Sequence, residues 1–289
     1  MPTAPGTLYV VSTPIGNLGD LSPRAVETLG ASALILAEDT RHARVLLDHA
    51  GVRAPVRSHH EHNEAASTPG IVARLCAGET VALVSDAGTP LLSDPGARLV
   101  RAAIDAGVAV VAIPGPSALL AALVVSGLDA SRFTFYGFLA RRGADRTAAL
   151  EALAALPHTA VLYEAPARVA ATLADLAARG GGERAAVVAR ELTKKFEEAR
   201  RGTVGELARY YEETPPRGEV VLVIAGASAP AAATTEHAAR ERARAMLAAG
   251  TQARDVARAL GAEFGVARNV AYRLAHETKG ADDAPETAE

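Results

Sequence analysis

The sequence predicts an α/β protein made of two successive α/β domains, and three observations predict it. Short apolar runs rich in Val, Ile and Leu recur along residues 8–225, amphipathic stretches of helical length separate them, and the pattern stops and restarts at a Pro-Gly-Pro-Ser turn, 114–117. Continuous apolar strands this short suit a sheet covered on both faces. Regular strand–helix alternation builds α/β layers. A chain of 289 residues is long enough for two such domains.

In order, the first domain (1–114) has strands expected at 8–12, 33–37, 55–58, 81–85 and 108–113. Helices are expected between them at 23–30, 41–50, 64–77 and 95–106. Pro114 and Pro116 fix φ and Ser117 offers a cap, so a helix is expected over 118–126. The second domain (115–227) carries strands at 133–138, 160–163, 185–190, 196–200 and 219–225, with helices at 144–155, 167–179 and 204–211. An Ala/Pro/Ser/Thr linker, 227–235, leads to a helical extension over 236–280. There Thr251 is a candidate cap and Gly265 a turn between the second and third helices, in the manner of a helix-turn-helix. The extension holds eight Lys/Arg against five Asp/Glu over 234–280. Residues 281–289 hold four acids and no large apolar side chain, the composition of a disordered tail.

Composition narrows the function classes. The chain is 49 % hydrophobic and 22 % charged, with a net charge of −3. Bulk charge therefore does not draw it to nucleic acid, and any RNA contact must use local basic patches. Cys76 is the single cysteine, so no intramolecular disulfide forms. No apolar run reaches the ~18 residues of a membrane span, and the first residues lack a secretory pattern. A cytoplasmic protein without a membrane partner is expected.

Chemistry concentrates in loops that follow strands. The loop 12–20, Ser-Thr-Pro-Ile-Gly-Asn-Leu-Gly-Asp, lacks both the dinucleotide fingerprint and the Walker A pattern. Ligands of open parallel sheets nonetheless lie beyond the carboxyl ends of strands, where this loop falls. The loop 85–96 holds Asp86, Gly88, Asp94 and Gly96; Asp94 reads as a cap for the following helix, and Asp86 has no such structural role. The run His59-His60-Glu61-His62-Asn63-Glu64 departs from the zincin pattern, because Glu64 stands where the second histidine belongs, so no metal is expected. Two readings of the run stay open: hydrogen bonding to substrate, or an Asn63 helix cap beside a solvated histidine cluster. Glu164 and the group Glu191 to Lys195 put charge at the ends of two further strands.

Seven blocks occur together: Thr-Pro-Ile-Gly-Asn-Leu-Gly-Asp (13–20), Ala-Glu-Asp-Thr-Arg (37–41), His-Glu-His-Asn-Glu (60–64), Ser-Asp-Ala-Gly-Thr-Pro (85–90), Pro-Gly-Pro-Ser-Ala (114–118), Tyr-Glu-Ala-Pro (163–166) and Arg-Glu-Leu-Thr-Lys (190–194). In order and spacing they resemble the tetrapyrrole methylase superfamily, and within it the branch that methylates small-subunit ribosomal RNA. The resemblance covers about residues 6–227. It implies two α/β domains with S-adenosylmethionine in the cleft between them, a homodimer, and methyl transfer to the ribose 2′-oxygen of a cytidine in the decoding region of 16S rRNA, with the small ribosomal subunit as partner. One block departs: relatives often carry histidine after Tyr-Glu-Ala-Pro, and here Ala167 follows.

Carried over by position, the resemblance implies a cofactor site of Pro14, Asp86, Ala87, Gly88, Thr89, Ser117 and Ala118, with Tyr163 and Ala189 approaching from the second domain. A weakly acidic ribose hydroxyl needs a base or a cation near its oxygen, and the candidates are Asp39, His62, Glu164, Glu191 and Lys194. Phosphates would meet Arg41, Arg44, Arg141, Arg142, Arg146, Lys194, Lys195, Arg200 and Arg201. Two alternatives stay open: a methylase of tetrapyrrole or another small molecule on the same fold, and a non-enzymatic ribosome assembly factor.

Overall fold

A computed structural model describes residues 4–227 and 232–277. The first sheet is wholly parallel, built from β1 (Thr7–Val11), β2 (Leu34–Ala37), β3 (Val56–Ser58), β4 (Val81–Leu83) and β5 (Ala109–Ile113) in the order β3-β2-β4-β1-β5. Its strands are short and apolar because helices bury both faces. One face meets Leu29 of α1 (Pro23–Ala31) and Leu47 of α2 (Thr40–His49); the other meets Ile71 and Leu75 of α3 (Glu61–Cys76) and Leu99 of α4 (Ala97–Asp105). Each of these buried leucines or isoleucines contributes about 1.5–3 kcal/mol.

The chain leaves this sheet at Ile113, and α5 (Ala118–Ser126) packs on the next one. The second sheet comprises β6 (Phe133–Phe138), β7 (Thr159–Glu164), β8 (Ala185–Arg190), β9 (Glu198–Thr203) and β10 (Val220–Ile224). Its order is β6-β7-β10-β8-β9, and only the β6–β7 pair is parallel. Because β7 and β8 both run antiparallel to β10, their carboxyl ends meet its amino end, and Val220 pairs with both Glu164 and Arg190. Leu119 and Leu123 of α5 cover one face, while α6 (Ala144–Ala155), α7 (Val169–Leu176) and α8 (Val204–Glu213) cover the other.

Several local expectations shift. The third helix starts at Glu61, three residues earlier than its apolar pattern suggests: His60 is the N-cap residue, and Asn63, inside the first turn, accepts from the His60 backbone N–H at 2.9 Å. His59 is fully buried rather than solvated, with Nδ1 3.0 Å from Ser67 Oγ. Asp94 caps nothing: α4 begins at Ala97 behind Gly96, and the Glu64 carboxylate accepts from its first amides, Arg98 at 2.9 Å and Leu99 at 3.3 Å. Ser117 occupies the N-cap position of α5 without a side-chain capping bond. The seventh helix ends at Leu176 and passes into a wider turn, Ala177–Gly181. Strand β9 sits two residues later than its hydropathy places it, since Glu198 to Gly202 pair in register with β8 despite their charge.

The chain divides into two compact units, Met1–Ala227 and Ser228–Glu289. The second holds α9 (Ala232–Ala248), α10 (Ala253–Phe264) and α11 (Arg268–Glu277) around a core of Ala239, Val256, Leu260 and Leu274. Gly265 ends α10 in the left-handed conformation, while Gln252 and not Thr251 stands at its N-cap. The acidic tail, 281–289, lies outside the described residues. Among the described residues no helix is long and apolar enough to cross a membrane.

Candidate active site

Loops at the carboxyl ends of the parallel strands face the carboxyl end of β7 and the amino end of β10 in the second sheet. Three of these loops are tied into one wall. Thr13 and Gly88 exchange backbone hydrogen bonds at 2.8 and 3.1 Å, joining the loop after β1 to the loop after β4. Thr89 Oγ1 lies 3.1 Å from Ser12 Oγ and donates to the Pro116 carbonyl at 3.1 Å, adding the loop after β5. Across from this wall stand the end of β7 and the start of β10.

Between them lies a cleft with a cavity volume of about 380 Å³. Ile15, Asp86, Ala87, Gly88, Thr89, Leu92, Ser93, Asp94 and Ala118 line one side; Phe138, Tyr163, Glu164, Ala165, Pro166, Gly218, Glu219, Val220 and Val221 line the other. A second lobe of about 280 Å³ shares Ile15, Asp86, Ala87 and Glu219 and adds Thr13, Pro14, Gly16, His42 and Lys194. The cleft therefore gathers Pro14, Asp86, Ala87, Gly88, Thr89, Ala118 and Tyr163 from the expected cofactor set. Ser117 stands just behind Ala118, and Ala189 is fully buried in β8, paired with the lining residue Val221.

The five candidate acid–base residues separate into distinct roles. Glu164 lines the cleft but is buried and saturated: it accepts from the Ala165 amide at 2.9 Å and Thr172 Oγ1 at 2.6 Å, and pairs with Arg168 at 3.2 Å. Asp39 caps α2, and its hydrogen bonds to Arg41 hold its carboxyl far below the usual range. Its backbone N–H donates to Asp86 Oδ1 at 3.0 Å, so it acts on the cleft through Asp86. His62 is exposed at the start of α3 and lines neither lobe. Lys194 lines the second lobe, bound by Glu191 at 3.0 Å and Glu219 at 3.1 Å. Burial pulls the Lys194 ammonium down, but the two carboxylates outweigh it and its pKa rises, so it is a cation and not a base. Glu191 is held below its ordinary value by the Glu219 amide and then by Lys194.

Sequence reasoning missed Asp94. Freed from capping, this half-buried carboxyl faces the cleft, and burial raises its pKa to about 6, with the charges of Glu38 and Asp86 adding to the effect. Glu38 is raised by the same causes, burial first and Asp86 second. Ionisable groups held off their ordinary pKa in a cleft mark functional sites. Glu219 and Phe138 were also missed, for they precede or end strands without belonging to a motif block. Backbone strain points to the same place. The four non-glycine residues with positive φ among the described residues, Leu91, Ser93, Glu191 and Thr193, lie in the two loops bordering the cleft. Such conformations cost about 1–3 kcal/mol each and persist where surrounding structure imposes them.

Of the expected phosphate contacts, Arg146 and Arg201 are structural. Arg146 is bonded to Thr172 and Asp175, and Arg201 donates to the carbonyls of Val125 and Ser126. Arg41, Arg44, Arg141, Arg142 and Lys195 are exposed. Among the described residues no cluster of three or more His, Cys, Asp and Glu is arranged to hold a metal.

The family model of tetrapyrrole (corrin/porphyrin) methylases matches residues 7–208. The ribosomal RNA small subunit methyltransferase I of Synechocystis sp. is 47 % identical, the match covering 94 % of this chain and 98 % of that one. The protein of the same name from Xylella fastidiosa (strain Temecula1) is 53 % identical over 78 % and 84 %, and that from Pseudomonas aeruginosa 46 % over 95 % and 98 %. Among solved structures, cobalt precorrin-4 methyltransferase superposes with a TM-score of 0.58 at 18 % identity, covering 76 % of this chain and 94 % of its own. Uroporphyrin-III C-methyltransferase from Thermus thermophilus, complexed with S-adenosyl homocysteine, gives 0.56 at 19 % over 76 % and 97 %. At that identity the structures speak for the fold.

Proposed function

The chain belongs to the tetrapyrrole (corrin/porphyrin) methylase family, and from that premise we propose that it methylates small-subunit ribosomal RNA with S-adenosylmethionine as donor. The finer reading is transfer to the ribose 2′-oxygen of a cytidine in the decoding region. It rests on the seven motif blocks and on relatives 46–53 % identical that carry the rRNA methyltransferase name. The observation that carries the reading is the cleft: an apolar cavity whose one wall presents two carboxyls, Asp86 and Asp94, the pKa of Asp94 being raised by burial.

That donor set fits the cofactor. S-adenosylmethionine supplies an activated methyl on a cationic sulfonium, beside an ammonium and a planar adenine. Asp86 and Asp94 supply negative charge for the cations, while Ile15, Leu92, Ala118 and Val221 supply apolar walls for the ring. Asp39 aims Asp86 through its backbone N–H, and the tied loops of Thr13, Gly88 and Thr89 keep the wall rigid, so the reacting groups are aligned before they meet. Lys194, fixed by Glu191 and Glu219, offers a cation to stabilise charge growing on the acceptor oxygen. Glu164 holds the turn that carries Pro166 and is a positioning residue.

The same proposal includes a homodimer and a cytoplasmic protein. In support of the dimer, Leu120 and Val124 are exposed on α5, Val124 by 81 %. The decisive experiment offers radiolabelled S-adenosylmethionine and the protein to small ribosomal subunits that lack the modification, with mass mapping of the RNA. Label on one cytidine ribose is expected. Cofactor binding with no label on RNA would move the function to a small-molecule acceptor, and absence of cofactor binding would favour an assembly factor.

A further inference from the structure

We propose that a recess adjoining the cleft holds one nucleotide of the RNA strand that carries the acceptor, an inference that rests on the RNA reading above. Its cavity volume is about 180 Å³, and its walls include Arg190, Glu198, Tyr210, Tyr211, Pro216 and Arg217. At ~30 Å³ for each water of the liquid, that is room for one planar heterocycle rather than a folded chain. The recess and the cleft are neighbours along the backbone. Arg217 lines the recess, and Gly218 and Glu219 line the cleft. Arg190 lines the recess, and Glu191 bonds the Glu219 amide behind the cleft.

Four observations specify the occupant. First, Tyr211 is only 3 % exposed, and its hydroxyl has no hydrogen-bond partner. Buried polar atoms are almost always paired, so an orphan in a cavity wall calls for a polar group supplied from outside. Second, the charge is cationic. Arg190 at 2.8 Å and Arg200 at 3.1 Å share the single carboxylate of Glu198, and exposed Arg217 makes no ion pair among the described residues. Third, the walls suit a flat ring. The Arg200 guanidinium stacks 3.8 Å from the Tyr210 centroid, Tyr210 meets Tyr211 edge-on at 5.0 Å, and Pro216 completes the apolar side. Cations for phosphate, flat groups for a base and a placed hydroxyl for its edge are the elements of single-stranded RNA recognition. Fourth, the cleft repels a phosphodiester. Asp86 and Asp94 line it with no Lys or Arg paired to them among the described residues, and its one lysine, Lys194, is already held by Glu191 and Glu219. A ribose entering there must leave its flanking phosphates on cations nearby, and the recess supplies them.

The test compares wild type with Arg217→Gln and Tyr211→Phe on small-subunit RNA, with Arg101→Gln on the outer face of α4 as a charge control. Cofactor affinity by calorimetry monitors the fold of each. Arg217→Gln is expected to raise the KM for RNA about tenfold and to lower the salt dependence of RNA affinity by about one unit of slope. Tyr211→Phe keeps the ring and is expected to raise KM several-fold, with kcat and cofactor affinity as in wild type. Ultraviolet cross-linking is expected to mark the peptide containing Tyr210 and Tyr211. Wild-type KM and salt slope in both variants, or cross-links confined to other peptides, would overturn the recess. If wild type binds cofactor but methylates no RNA, the functional reading fails and this proposal falls with it.

Discussion

Asp94 carries the sharpest prediction at the scale of single residues. Its ordinary pKa of 3.8 is raised to about 6 in the folded chain, chiefly by burial. Between those values the folded state holds a proton that the unfolded state has released. Stability of the free protein should therefore fall as pH rises from about 4 to about 6 and then level off. Asp94→Asn should remove that slope in denaturant titrations. A cationic ligand favours the ionised carboxyl, so cofactor affinity should strengthen as pH rises through about 6, by at most about tenfold per pH unit. Calorimetry of Asp94→Asn should show a flat profile over the same range. Gly218 gives a second test. It has φ 82°, and a Cβ there would collide with the Glu191 carboxylate. Gly218→Ala should cost about 1–3 kcal/mol and loosen Lys194, lowering kcat more than cofactor affinity. The sequence marked Glu191 and Lys194 through their block. Gly218 and Asp94 stayed hidden, because one acts by what it lacks and the other resembled a helix cap.

At the scale of elements, buried Arg184 ties the end of β10 to helix α6. It donates to the Ala225 carbonyl beyond β10 and to the Leu153 carbonyl at the end of α6. Arg184→Ala would take the Ala225 carbonyl's donor away, while the Leu153 carbonyl keeps the Leu156 N–H, and should destabilise the protein by about 1–3 kcal/mol, readable by thermal unfolding. Helix α5 is apolar all round because it covers the second sheet with Leu119 and Leu123 while leaving Leu120 and Val124 outward. If that outward face joins two copies, Val124→Glu should convert a dimer to a monomer in light scattering with cofactor affinity kept. Strands and helices were legible almost throughout, since apolar spacing reports burial directly. The exceptions are instructive. Strand β9 runs Glu-Ala-Arg-Arg-Gly-Thr at the sheet edge and pairs through its backbone, to which hydropathy is blind. The start of α3 depends on the Asn63 side chain bonding the His60 amide, a local bond with no apolar period.

At the scale of the whole molecule, a net charge of −3 and an acid-lined cleft must still admit a polyanion. RNA affinity should thus come from local cations and weaken steeply with salt, while cofactor affinity, set inside the cleft, should change little. Filter binding and calorimetry over the same salt series would check the contrast. Met1–Ala227 and Ser228–Glu289 each contain their own hydrophobic core. A chain ending at Ala227 should accordingly fold and bind cofactor with wild-type affinity.

By itself the sequence determined the two α/β sheets and the motif blocks that line the cleft, because burial and turn chemistry are properties of neighbours along the chain. Only the tertiary structure decided which charges meet. It took Asp94 from a cap to the cleft, saturated Glu164, paired Lys194 and left Tyr211 without a partner beside Arg217. The reason is physical: a side chain's protonation and availability depend on burial and on charges a few ångströms away in space, contributed by residues far apart in the chain.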